Sequence, residues 1–174
     1  ESGDAILISG SMGDHGLTVL SQRAGLSLSA EVRSDSASLN HMVEALITEV
    51  GDIHVLRDPT RGGLATTLNE IAEQSQVSIV LDETSVPVHE AVRNGCSFLG
   101  MDPLYLANEG KCICIVPESS AEAALEAMRR SPYGKEAARI GTVTEGKAQV
   151  ALQTRIGGRR LLGMLEGAQL PRIC

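Results

Sequence analysis

Arg57-Asp58-Pro59-Thr60-Arg61-Gly62-Gly63-Leu64 joins two stretches of different period. Ahead of it, Ile53-His54-Val55-Leu56 is a short apolar run and reads as a strand. Behind it, Leu64, Leu68, Ile71 and Ala72 recur at three- and four-residue spacing and read as a helix. The stretch is therefore a strand-to-helix connection with two glycines at the helix start. Such a turn presents unpaired backbone N–H groups and the positive end of the helix dipole, a setting that suits phosphate. Arg61 adds a forked cationic donor, and Asp58 can hold that arginine or a metal ion. Pro59 and Gly62-Gly63 equally suit a tight turn with no ligand, so both readings stand.

Outward from this connection the alternation continues. Upstream, Leu39, Met42, Val43, Leu46, Ile47 and Val50 form an amphipathic helix stopped by Gly51. The polar, serine-rich segment 31–38 is a surface loop. Asp4 to Gly10 is a buried strand, and a loop with Gly10, Gly13 and Gly16 feeds a helix through Leu17, Leu20 and Ala24, with Asp14 as its N-cap. The glycine spacing is not the dinucleotide fingerprint G-x-G-x-x-G. His15 either enters a site or bonds locally, and His41 and His54 belong to the fold.

Downstream, Val77 to Leu81 is a strand, Pro87 to Val92 a short helix and Asn94-Gly95 a turn, with Cys96 and Phe98 packing inside. Asp102 to Leu106 makes one or two helical turns. Ala107-Asn108-Glu109-Gly110-Lys111 then leads into the strand Cys112 to Val116. Glu109, at the mouth of a strand, is either a general base or an ordinary turn glutamate. Ser119 caps a further helix, and Ile140–Val143 with Ala148–Leu152 forms a hairpin across Glu145-Gly146-Lys147. The whole is an α/β (α+β) chain, a mixed β-sheet with helices packed on it.

An apolar fraction of 43% with only 2% aromatics requires a core of Leu, Ile, Val and Ala. A net charge of -7 argues against nucleic acid as a partner. No apolar run approaches the roughly 18 residues of a membrane span, and no signal peptide opens the chain, so a cytoplasmic protein is expected. Cys96, Cys112, Cys114 and Cys174 are expected as free thiols. Cys112 and Cys114 share a strand face and read as buried small hydrophobes, without the second pair that a metal site needs. No metal ligand is assigned on this chain.

Residues 163–174 form a flexible lead of about 40 Å if unpacked, at about 3.3 Å per residue, and end in Leu170-Pro171-Arg172-Ile173-Cys174. This tail is either a carrier that moves a thiol between sites or a frayed terminus. Residues 1–162 are the folded domain, and a start at Glu1, without a methionine and with a strand following almost at once, suggests a piece of a longer protein.

Gly13-Asp14-His15-Gly16, Asp58 to Leu64, Ala107-Asn108-Glu109-Gly110 and Pro171-Arg172-Ile173-Cys174 together resemble the C-terminal part of the HypE family of hydrogenase maturation proteins. That family falls within the aminoimidazole-ribonucleotide-synthetase-like (PurM-like) superfamily, and the likeness runs end to end. It implies a PurM C-terminal-domain-like fold whose N-terminal ATP-binding domain, with most ATP and Mg2+ ligands and the homodimer contact, is absent here. It implies that Cys174 accepts a carbamoyl group from the carbamoyltransferase HypF. ATP-dependent dehydration then gives a thiocyanate, whose cyanide passes to iron on the HypC–HypD scaffold. Glu109 matches the family's catalytic glutamate, and Asp58, Arg61, Gly62 and Gly63 are the phosphate-binding candidates. Two other readings remain: a small-molecule ATP-dependent synthetase of the same superfamily, and a non-catalytic docking module.

Overall fold

A computed structural model of the chain describes residues 1–25 and 32–165. Cys174 and the expected tail beyond residue 165 lie outside the described residues.

The chain runs β1 (Ala5–Ile8), α1 (Asp14–Ala24), α2 (Asn40–Val50), β2 (Val55–Arg57), α3 (Gly63–Ser75), β3 (Ser78–Asp82) and α4 (Glu90–Leu99). A 3-10 turn (Pro103–Tyr105) precedes β4 (Ile113–Val116), and a second (Glu118–Ser120) leads into α5 (Ala121–Arg130). The strands β5 (Ala138–Thr144), β6 (Gln149–Gln153) and β7 (Arg159–Leu162) follow. They form one sheet in the order β2-β4-β1-β5-β3-β6-β7, and β3–β6 is its parallel pair. The sheet is mixed, as the sequence predicts.

Alternation along β1 explains the layering. Ile6 and Ile8 face the side covered by α3, where Leu64, Leu68 and Ile71 meet Ile79, Leu81, Ile113 and Val150. Ala5 and Leu7 face the other side, where Met42 and Leu46 of α2 meet Leu125 and Met128 of α5. A satellite core of Leu17, Val92, Cys96 and Leu106 joins α1 to α4. All four β1 residues are fully buried, so this strand is the spine of the domain.

Several local expectations are corrected. Ile140–Val143 and Ala148–Leu152 do not form a hairpin: β3 lies between β5 and β6 and pairs with both. The hairpin is β6–β7, closed by a turn in which Thr154 N–H donates to Gly158 O at 2.8 Å. Asn94-Gly95 lies inside α4 rather than at a turn, because Gly95 lets the helix press on Leu17. Helix α4 starts at Glu90 instead of Pro87, and Phe98 is 83% exposed on it. Gly13, with φ 88°, is the cap of α1, which leaves Asp14 free for other work, and Ser119 sits in the 3-10 turn before α5.

Candidate active site

Strand β4 runs antiparallel to both neighbours, with Ile113 opposite Ile8 of β1 and opposite Arg57 of β2. The exits of β1 and β2 and the entrance to β4 therefore share one edge of the sheet. Three loops meet there: Ser9–Gly13, Asp58–Gly62 and Ala107–Lys111. Asn108, only 1% exposed, ties them together. Its Oδ1 accepts the Gly13 N–H at 2.8 Å, and its Nδ2 donates to Pro59 O at 2.9 Å and Leu106 O at 3.1 Å. The Asn108 backbone N–H also donates to Pro59 O at 3.2 Å. A buried amide with its hydrogen bonds met is a rigid joint.

The glycine turn is packed tightly against this joint. Gly62 and Gly63 have φ of 76° and 64°, and Gly63 N–H donates to Thr60 O at 3.0 Å. A Cβ on Gly63 would stand 2.6 Å from the carbonyl oxygens of both Leu104 and Leu106. The pair thus brings α3 under the Pro103–Tyr105 turn, and the Gly63 amide already has its acceptor. Asp58 and Arg61 are exposed beside it. Burial pushes the Cys112 thiol up to about 11, and the Asp58 charge adds to the shift.

Glu109 is half-buried, and its backbone N–H donates to Asp35 Oδ1 at 3.1 Å. Next to it, Gly110 presses on the loop before α2, where an added Cβ would fall 1.8 Å from Asp35 O. Then comes Lys111, whose Nζ lies 3.2 Å from Asp35 Oδ2; the two side chains are 11% and 3% exposed. One aspartate therefore grips both ends of Glu109-Gly110-Lys111.

Lys111, Gly110 and Asp35 line an open cavity of about 540 Å³, bordered also by the Ser9–Ser11 turn, His89 and Glu136. Glu109, Asp58, Arg61, Gly62 and Gly63 are not part of its lining. At its far wall His89 Nδ1 lies 2.8 Å from Asp14 Oδ1, and Nε2 lies 3.0 Å from Glu136 Oε2. Burial opposes protonation of His89, but Asp14 and Glu136 outweigh it and raise its pKa. Asp14 also accepts from Ser11 Oγ at 2.5 Å. His15 lies outside this cluster, paired with Ser34 Oγ at 2.9 Å.

Residues 1–152 match the family described as AIR synthase related protein, C-terminal domain. The chain belongs to that family. Within it, the chain is similar to the carbamoyl dehydratase HypE of Azotobacter vinelandii, 55% identical over 99% of the chain and 51% of the relative. A crystal structure of hydrogenase maturation protein HypE in complex with ATP aligns over 100% of the chain and 53% of its own, with 67% identity and a TM-score of 0.95. A HypE–HypF complex aligns over 95% and 54%, with 44% identity and a TM-score of 0.91. The chain spans about half the length of the relatives it matches.

The structure brings Glu109, Asp58 and the glycine pair to one joint but leaves Cys174 outside the described residues. Asp35 and Lys111 escaped sequence reasoning. Asp35 stands in a serine-rich loop without period, and its burial comes from a contact 76 residues along the chain. The only local hint was Lys111 beside Gly110, just ahead of a wholly apolar strand. No group of His, Cys, Asp and Glu among the described residues is arranged to hold a metal ion, and no described helix is long and apolar enough to cross a membrane.

Proposed function

We propose that this chain is the C-terminal domain of an ATP-dependent carbamoyl dehydratase of [NiFe]-hydrogenase maturation. The observation that carries the reading is the end-to-end likeness to the Azotobacter vinelandii carbamoyl dehydratase. Cys174 takes a carbamoyl group on sulfur from a HypF-type carbamoyltransferase. The thiocarboxamide then loses water at the expense of ATP, and the resulting thiocyanate donates cyanide to iron on a HypC–HypD scaffold. The preceding half of the protein supplies most ATP and Mg2+ ligands and the homodimer contact.

The reaction sums to R–S–C(=O)NH2 + ATP giving R–S–C≡N, ADP and phosphate. The amide oxygen takes the γ-phosphoryl group and leaves with it as phosphate, and both N–H protons are lost. Removal of those protons needs a base, a role assigned to Glu109. Its half-buried place on a segment fixed by Asn108, Asp35 and Gly110 suits a group that must not wander. Asp58 and Arg61 fit contacts to a phosphoryl group or its metal ion, because both are exposed at the joint. Gly62 and Gly63 fit less well as direct donors, and their part is to set the turn that presents Arg61.

Intact mass of the full-length protein, incubated with the carbamoyltransferase, carbamoyl phosphate and ATP, tests this. The carbamoyl mass should appear on Cys174 and one water should then disappear only with ATP. Glu109→Gln should stop at the thiocarboxamide, whereas normal water loss by that variant removes Glu109 from the mechanism. A Cys174→Ala protein that still gains the carbamoyl mass refutes the acceptor.

A further inference from the structure

The Asp35–Lys111 pair is an expensive feature for a loop. Two charges taken out of water are compensated only when their remaining donors and acceptors are also satisfied. Asp35 Oδ1 is used by the Glu109 N–H, but Oδ2 is buried and completes no hydrogen bond, although Lys111 Nζ stands 3.2 Å away. The contact is therefore Coulombic, and the three donors of the ammonium are not consumed by it. Space has been kept for this lysine. A Cβ on Gly10 would stand 3.1 Å from Lys111 Cε, so any larger residue there would press on its stem. The head borders a cavity large enough for a phosphorylated small group, about 540 Å³, two residues along the chain from Glu109.

We propose that Lys111, fixed by Asp35 on the wall of this cavity, is a substrate-contacting cation that binds the phosphoryl group on the amide of Cys174 while water is lost. This rests on the carbamoyl dehydratase reading. In the step at issue, a base takes the second N–H proton and the C–O bond breaks as the C≡N bond forms. Phosphate departs with the electron pair of the C–O bond. Negative charge grows on the departing oxygen, and a cation that is itself largely removed from water is most effective there. Asp35 is the positioning residue of the arrangement: it orients Lys111 with one oxygen and the Glu109 backbone with the other. Lys135, Arg33 and His89 also face the cavity, but Asp14 and Glu136 already engage His89.

The test uses full-length protein carrying Lys111→Met, pre-carbamoylated on Cys174 and followed by intact mass after addition of ATP. Removing one donor of this kind costs about 100-fold or more in the rate of the charged step. Water loss should slow by that factor while carbamoylation and melting temperature stay near wild type, and Lys111→Arg should recover part of the rate. Wild-type water loss by Lys111→Met overturns the proposal. So does a parallel loss of carbamoylation and thermal stability in both variants, which marks a structural ion pair. Should Lys111→Met not fold, Asp35→Asn, which frees Lys111 at nearly constant size, should slow the same step, and an unchanged rate is equally fatal. Wild-type protein that never loses water defeats the dehydratase reading itself, a result distinct from any of these.

Discussion

Replacing Gly63 by alanine separates the packing role of the glycine turn from a ligand-binding one. Two costs add. A non-glycine residue at φ 64° loses roughly 1–2 kcal/mol to its own backbone. The new Cβ would also stand 2.6 Å from two carbonyl oxygens, and overpacking of a fixed backbone costs about 1–3 kcal/mol more. The sum, about 2–5 kcal/mol, is a large part of the ~5–15 kcal/mol that holds a domain folded. Urea denaturation with an unchanged slope should show that loss directly. The melting temperature should fall by roughly 4–20 °C, at about 2–4 °C per kcal/mol for a domain of this size. Gly62→Ala is the companion variant: its φ is also positive, and its new Cβ would stand 2.6 Å from Thr66 Cβ, which no side-chain rotation moves, so its loss should be comparable. A Gly63→Ala protein within about 0.5 kcal/mol of wild type, inside the range of ordinary surface substitutions, would refute the packing argument. If it also lost ATP-dependent activity, the glycine would be a ligand contact after all.

Two further outcomes follow from titrating groups. The hydrogen bond to Asp4, 2.7 Å from Nδ1, raises the pKa of His54 against a smaller opposing effect of burial. Its stabilising contribution is then complete below the unfolded value near 6.5 and is lost as pH rises through the higher folded value. The stability gap between wild type and His54→Gln should therefore narrow from pH 6 to pH 9, and a gap that widens would contradict the pairing. Burial pushes the thiols of Cys96 and Cys112 up to about 11 and that of Cys114 to about 12. Native Cys174→Ala protein should resist iodoacetamide at neutral pH, since thiolate is the reactive form, and rapid labelling of any of the three would show that the core opens.

What could be read in the sequence and what could not divides along contact range. Helices α2 and α3 announce themselves through Leu39, Met42, Leu46 and Leu64, Leu68, Ile71, because a periodic face is written within four residues of itself. The same holds for Gly51 and Gly62 at their ends. Strand pairing has no such local record. Ile140–Val143 and Ala148–Leu152 look like the arms of a hairpin, and only the long-range insertion of β3 between them decides otherwise. Strand β7 was hidden because Arg159, Arg160 and Leu161 are exposed on a sheet edge, where alternation need not be kept. At the candidate site the division has a chemical consequence. Asn108 and Glu109 stand out as an amide and a carboxylate at a strand mouth, but the partner that fixes them, Asp35, belongs to a loop with no pattern of its own. A serine-rich segment that encloses a 3% exposed carboxylate is held by what it touches and not by its own propensity. The placing of Glu109 and Lys111 therefore depends on this segment staying docked, and a change near Asp35 should alter the site before it alters the sheet.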